Sequence, residues 1–341
     1  MTKKLTIHNR QEWRYYVRNA AEYDFYHTWH FHSLETSDIP ILFVYEEDDD
    51  YIAFPLLQRD IPGSTYHDLT CVYGFSGPIS NKIMEKVDEA FIDKFKTAFT
   101  RFLLKENYVS VFARMHPFYK QQVLLDKFGG VHENGKTVII DLSVSIEDQR
   151  KQYTQSTMDA IKHAWKMGYH VKEENGPCAV ATFVKIYTET MRRVGATDYY
   201  LFNEEYFNKI LNTDEYDARI IMVYNGDTVM SSTIITFTNG IIQAHLVGTK
   251  AEYLHKSPTK FLVDEITRIG RKMGMKYFNL GGGLGFKHDR LFDWKASFST
   301  QCLDFNTWRF IANPAIYKQL LDEKGIDENA EIDFFPLYRY A

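Results

Sequence analysis

One order of elements is written twice along this chain. Ile41-Leu42-Phe43-Val44-Tyr45 reads as a strand, followed by an acidic turn and a second strand from Tyr51 to Leu57. Ile220-Ile221-Met222-Val223-Tyr224 starts the same way. It is followed by Asn225-Gly226-Asp227 and a polar-apolar run through Ile235. Asn-Gly is a strong hairpin signal because both residues tolerate positive φ. After the first hairpin, Phe91, Phe95, Ala98, Phe99 and Phe102 recur at helical spacing and a strand follows at Val109–Ala113. After the second, Leu262, Ile266, Ile269 and Met273 do the same and a strand follows at Tyr277–Leu280. Each half therefore supplies a hairpin, an amphipathic helix and a further strand, and the chain is expected to fold as two related α/β (α+β) domains.

The division is expected near residue 145. Val138-Ile139-Ile140-Asp141-Leu142 reads as a strand, and Ser145-Ile146-Glu147-Asp148 reads as a capped helix start. That helix is expected to run to about Gly168, with two more near 179–194 and 203–211. This gives domains at residues 1–144 and 145–312, with a tail at 313–341 that packs back on the first half.

Composition narrows the class. The 341 residues carry 40 Lys and Arg against 45 Asp and Glu, a net charge of −5, which disfavours a protein that coats DNA or RNA. Cys71, Cys178 and Cys302 are odd in number and show no CxxC spacing, so a reducing compartment fits and a disulfide scaffold does not. There is no apolar run after the N-terminal lysines and no window of membrane-spanning length. A cytoplasmic protein without a transmembrane segment is expected.

The most unusual local stretch is Asn279-Leu280-Gly281-Gly282-Gly283-Leu284-Gly285-Phe286-Lys287, four glycines after a strand. Glycine lets a backbone turn sharply and approach a ligand closely. The stretch is neither a dinucleotide fingerprint nor a P-loop. Soon after, Lys295 sits between Trp294 and Phe298, a cation in a partly dry setting where it can stabilise a developing oxyanion or a phosphate. In the first half, Tyr73-Gly74-Phe75-Ser76-Gly77-Pro78 forms a glycine-punctuated loop. Arg114 ends a strand, where it can hold a carboxylate or phosphate. His27, His30 and His32 form HxxHxH without an acid or cysteine at ligand spacing, so no metal site is expected. The absence of a GxSxG element or a Cys–His elbow leaves a covalent hydrolase unsupported. Arg150, Lys151, Lys162, His163 and Lys166 read as a solvated helix face.

In order along the chain, YGFSGP at Tyr73–Pro78, ARMHP at Ala113–Pro117, the long helix opening the second half, HLVGT at His245–Thr249, FNLGGG at Phe278–Gly283 and the aromatic-Lys-x-x-Phe element at Trp294–Phe298 resemble the Fem-type (FemABX) peptidyltransferases and their N-acyltransferase relatives. The resemblance spans roughly residues 20–310. It implies two tandem domains of the GCN5-related N-acetyltransferase (GNAT) fold, each a mixed, largely antiparallel sheet flanked by helices. It also implies acyl transfer from an activated donor to an amine, with no permanently bound cofactor. Fem-type members take an amino acid from aminoacyl-tRNA and attach it to a peptidoglycan precursor, whereas their relatives use acyl-CoA. Lys295 matches the family lysine and is implied to stabilise the tetrahedral intermediate or a donor phosphate. Gly281, Gly282 and Gly283 would shape the donor channel, and Tyr73, Gly77, Pro78 and Arg114 the acceptor side.

The sequence departs from the pattern in two places. Where GNAT enzymes carry a glycine-rich pyrophosphate loop, this chain has Leu254-His255-Lys256-Ser257-Pro258-Thr259-Lys260, with Lys256, Lys260 and the hydroxyls of Ser257 and Thr259 at a helix start. The coiled-coil insertion with which some Fem members contact tRNA is missing. The expectation is an N-acyltransferase for an amine of a small-molecule or lipid-linked envelope precursor, with acyl-CoA slightly ahead of aminoacyl-tRNA as donor. Tyr199, Asp68 and His245 are candidate proton acceptors on hydrogen-bonding capacity alone. A non-catalytic protein that binds a nucleotide-linked precursor is the alternative from another class.

Overall fold

The computed structural model describes residues 1–340, apart from the side chain of Tyr199. It resolves into two compact units, Met1–Asn134 with the chain from Asp304 on, and Gly135–Leu303.

The first unit has strands β1 (Thr2–Thr6), β2 (Ile39–Glu47), β3 (Asp50–Asp60), β4 (His67–Thr70), the short β5 (Ile79–Ser80) and β6 (Tyr108–Arg114). The hairpin β2–β3 runs in register from Ile39↔Gln58 to Glu47↔Asp50. β4 pairs antiparallel with β3 and parallel with β6. The helix Glu89–Lys105 makes the crossover to β6 and is capped by Asp88, whose carboxylate accepts from Phe91 N at 3.1 Å. Phe91, Phe95, Phe99 and Leu103 bury one face of that helix against Phe43, Phe54 and Trp308. The spacing that predicts the helix is thus the spacing of its core contacts.

The second unit repeats the order. β8 (His170–Glu174), β9 (Asp217–Asn225), β10 (Thr228–Thr238) and β11 (Ile241–Thr249) pair antiparallel in succession. β12 (Tyr277–Gly281) then pairs parallel with β11 after the helix Pro258–Lys272. The last strand of each sheet comes from the other half of the sequence. β7 (Val131–Asp141), which follows β6 in sequence, pairs with β12. β13 (Cys302–Ile311), which follows β12, pairs with β6. Each unit is therefore a mixed, mostly antiparallel sheet flanked by helices, as the resemblance implies.

Three details depart from the sequence reading. The helix expected from Ser145 to Gly168 breaks in two, Ile146–Lys151 and Gln155–Lys166. Tyr153 turns into the core at the break, and Thr154 caps the second piece by accepting from Thr157 N. Arg150 is not part of a solvated face. It makes a two-bonded ion pair with the fully buried Asp264, at 3.0 and 2.6 Å. The chain from Asp304 on belongs to the first unit, where Tyr338 and Arg339 both donate to the Asp68 carboxylate.

Candidate functional site

In the second unit the two parallel strands pair only at Ile241↔Tyr277, Ile242↔Phe278 and Gln243↔Asn279. Beyond that they part: β11 continues along β10 to Thr249, while Gly281 pairs with Val138 on β7. Ala244 and Val247 are exposed where the strands separate, Val247 by 41%, although β11 is an inner strand. A bulge beside them makes His245 the extra residue between Ala244 and Leu246. Glycine at 248 lets the helix Gly176–Arg193 lie close against β11, since a Cβ there would meet the Ile186 backbone at 3.0 Å.

The start of the glycine stretch, Gly281-Gly282, meets Lys295. Lys295 lies on the helix Arg290–Ala296, which Asp289 caps by accepting from Phe292 N at 2.8 Å. The other Asp289 oxygen accepts from Leu284 N at 2.9 Å, which ties the loop to the helix start. Phe292 and Phe298 are buried, and Trp294 stands edge-on to Phe298 at 5.2 Å. The Lys295 ammonium donates to the Gly282 carbonyl at 2.6 Å and lies 3.2 Å from where a Gly281 Cβ would sit. Gly281 has φ +79°, so both space and backbone demand glycine there. Burial pulls the Lys295 pKa down to about 8, against the opposing pull of the Asp289 carboxylate. A partly buried cation beside parted strands can stabilise developing negative charge.

Behind the turn is a buried polar row that the sequence reading passes over. Thr137 Oγ1 donates to Asn279 Oδ1 at 2.5 Å, Gly281 N donates to the same oxygen at 3.0 Å, and Asn279 Nδ2 donates to Gln243 Oε1 at 2.9 Å. The available signal was a polar residue inside each of two apolar strands, Gln243 in Ile-Ile-Gln and Asn279 in Tyr-Phe-Asn-Leu.

The other residues expected on the donor side stand at the end of β11. Ser257 has left-handed φ (50°) and Pro258 opens the helix. Thr259 spends its hydroxyl on Thr249 Oγ1 at 2.8 Å. Lys256 lies over the Tyr253 ring at 5.3 Å, and burial lowers the Lys260 pKa.

In the first unit the corresponding parallel pair, β4 and β6, leads into Cys71–Pro78, which continues the sheet. Ser76 bridges to Met115 and donates from its N–H to Arg114 O at 2.7 Å. The glycines of YGFSGP make room for packing rather than for a ligand. A Cβ at Gly74 would fall in the Tyr26 ring, and one at Gly77 in the Gln121 amide. Gln121 donates to Ser76 O and Pro78 O and accepts from His116 N, which locks the loop. Tyr73 and Arg114 are half-buried, with the Arg114 guanidinium 5.4 Å from the Phe112 ring centre and 3.7 Å from Cys71 Sγ.

Two of the candidate proton acceptors lose their case on physical grounds. Asp68 is fully buried and ion-paired with Arg59 at 2.7 Å and Arg339 at 2.5 Å, so it is a structural anchor of the first unit. His245 is buried with its pKa pushed down to about 3, too weak a base to draw a proton from an amine. Tyr199 has its backbone in the 3-10 turn Asp198–Tyr200, and its side chain lies outside the described residues. The buried pair Asp24–His116, at 2.9 Å with His116 stacked on Tyr119, fastens the first unit near HxxHxH. Among the described residues no group of His, Cys, Asp and Glu is placed to hold a metal, and no helix is long and apolar enough to cross a membrane.

Residues 150–295 match the family model described as "Acetyltransferase (GNAT) domain". No curated protein sequence matches the chain significantly. Among solved structures the chain is similar to FemX, with 13% identity, 93% of this chain and 99% of that one covered, and a TM-score of 0.69. It is also similar to L-PGS from Bacillus licheniformis, with 13% identity, coverage of 91% and 94%, and a TM-score of 0.61. A conserved protein from Bacteroides thetaiotaomicron matches at 10% identity, coverage of 91% and 99%, and a TM-score of 0.60. Residues 150–295 thus match an acetyltransferase (GNAT) domain, in a chain whose fold over nearly its whole length is similar to that of FemX.

Proposed function

We propose that the chain is a cytoplasmic N-acyltransferase that carries an acyl or aminoacyl group from an activated donor to an amine of an envelope precursor. The observation that carries the reading is the Lys295 ammonium, held at the Gly281–Gly283 turn where β11 and β12 part. The amine attacks the donor carbonyl, a C–N bond forms, and the carbonyl oxygen takes up negative charge. Lys295 stabilises that charge. The C–S bond of an acyl-CoA, or the C–O bond of an aminoacyl ester, then breaks, and the amine loses its proton to the leaving group or to water. No covalent bond to the protein is needed.

Acyl-CoA is slightly preferred as donor. Lys256, Lys260 and the start of the helix Pro258–Lys272 stand at the end of β11, as the phosphate-binding loop does in GNAT enzymes. The aminoacyl-tRNA alternative draws on the resemblance to Fem-type proteins. The lipid-linked acceptor class draws on the L-PGS neighbour and on the solved C-terminal domain of a putative lysylphosphatidylglycerol synthetase from Agrobacterium fabrum. Tyr73 and Arg114 are the first-unit residues with surface left to offer an acceptor, whereas Gly77 and Pro78 act through packing.

Calorimetry with CoA, acetyl-CoA and an aminoacyl-tRNA pool tests the donor. Micromolar binding of CoA, weakened about 3- to 10-fold by Lys260→Ala, is expected. Binding of tRNA alone would move the protein to the amino-acid-transferring branch, and binding of neither would sink the acyl-transfer reading.

A further inference from the structure

The Lys295 ammonium is reached from the core of the second unit by two successive backbone contacts. β12 carries a bulge against β7: Asn279 faces Ile139 and Gly281 faces Val138, so Leu280 is the extra residue. At this bulge the Gly281 N–H turns to the Asn279 side chain, at 3.0 Å. Two peptides further on, the Gly282 carbonyl accepts from Lys295 Nζ. The direction of this carbonyl depends on the backbone of Gly281, which sits at φ +79°, and of Gly282, and neither has a side chain to hold it.

Asn279 is itself held on every side. It is 1% exposed and its cross-strand neighbour Gln243 is 3% exposed, while Thr137 is fully buried. Asn279 Oδ1 accepts from both Thr137 and Gly281, and Asn279 Nδ2 donates to Gln243. Two donors converging on one atom require the amide oxygen there, which sets the orientation of the group. A buried amide with these bonds made is stiff, and losing them leaves buried polar atoms unpaired.

We propose that Asn279 is a positioning residue for Lys295: its amide, clamped by Gln243 and Thr137, holds the Gly281 N–H and thereby aims the Gly282 carbonyl that fixes the ammonium where the strands part. The inference rests on the acyl-transfer reading for its functional meaning. The positioning itself is testable without a donor.

The test is the titration of Lys295, read by mass spectrometry as the pH dependence of its acetic anhydride labelling in Asn279→Ala, Gln243→Ala and the parent. The parent midpoint is expected at about 8. Releasing the turn admits water to the ammonium and relieves the burial that lowers it. The midpoint should therefore rise by about one pH unit or more in Asn279→Ala and by less in Gln243→Ala. Thr267→Ala, another buried hydrogen-bonded position in the same unit, serves as a control for general loosening and should leave the midpoint in place. An unmoved midpoint in a folded Asn279→Ala protein, or in Gln243→Ala should the former not fold, overturns the proposal. So does an equal shift in the Thr267→Ala control. With a donor in hand, Asn279→Ala should lower kcat about 10- to 100-fold and leave KM nearly unchanged, since about 1 Å of misplacement costs that much. If Lys295→Ala leaves turnover intact, the acyl-transfer role fails while the titration result stands.

Discussion

The two units share one strand order, and they differ at the place where their parallel strands end. In the first unit the Cys71–Pro78 loop carries the sheet on past β4 and β6. Its glycine positions are filled by Tyr26 and Gln121, and Ser76 is stitched to Arg114 and Met115. In the second unit β11 and β12 separate after Gln243 and Asn279, and residues exposed on an inner strand mark the opening. There Gly281 faces the Lys295 ammonium, and the Gly282 carbonyl accepts from it, whereas Gly282 and Gly283 make room for Phe286 and Asp289. Two units of one strand order thus end their parallel pairs differently, and the proposed chemistry lies at the pair that parts.

The largest effect expected of this contrast is on Lys295. Lys295→Ala should cut turnover by about 10²–10³-fold, the loss typical of removing one oxyanion donor. Its melting temperature should hold, because the substitution removes a cation that burial disfavours. Turnover within a few-fold of the parent, in a folded protein, would erase the distinction between the units.

Next in size is the anchor of the first unit. Asp68→Asn should cost about 2–3 kcal/mol in urea unfolding, below the ~3–5 of a fully buried pair because Arg59 and Arg339 still reach water. Activity per folded molecule should not change. A tenfold fall there would return Asp68 to the catalytic set.

Gly77→Ala sharpens the comparison from the other side. With φ at +109° and Gln121 in the way, it should cost about 2 kcal/mol and leave donor binding in the second unit untouched. Loss of CoA binding in this variant, measured on folded protein, would mean that the Cys71–Pro78 loop does more than pack.

The smallest effect is a pH dependence. The Lys295 pKa is lowered to about 8, and charge stabilisation needs the protonated form. The Lys295-dependent part of the rate should therefore be constant below about pH 7 and fall as pH rises through 8. Lys295→Arg should remove that descending limb. A limb that persists in Lys295→Arg would assign it to another group.

The repeat was legible because its signals are local. Phe91, Phe95 and Phe99 at helical spacing, and the hairpin turn, which falls at Gly226-Asp227 with only Gly226 at positive φ, act within a few residues. Lys295 was legible for a similar reason, since flanking aromatics in sequence become flanking aromatics around one helical turn. Even the helix at Ser145 started where its cap predicts, and was then broken by Tyr153, which the core claimed.

What sequence alone determined about this protein is therefore its plan: two hairpin–helix–strand halves, a glycine turn after the last parallel strand, and a lysine among aromatics. Only the tertiary structure decided which glycine loop is filled by a ring and an amide and which receives a lysine ammonium. That outcome depends on Tyr26, Gln121 and Lys295, which reach Gly74, Gly77 and Gly281 from 14 to 48 residues away in the chain. Tertiary structure likewise decided that β7 and β13 complete sheets built from distant segments. It also placed Thr137, Gln243 and Asn279 in one row, although 142 residues separate the first from the last. Spacing in sequence encodes contacts along a strand or a helix turn, whereas contacts across a sheet arise only once strands far apart in the chain have paired.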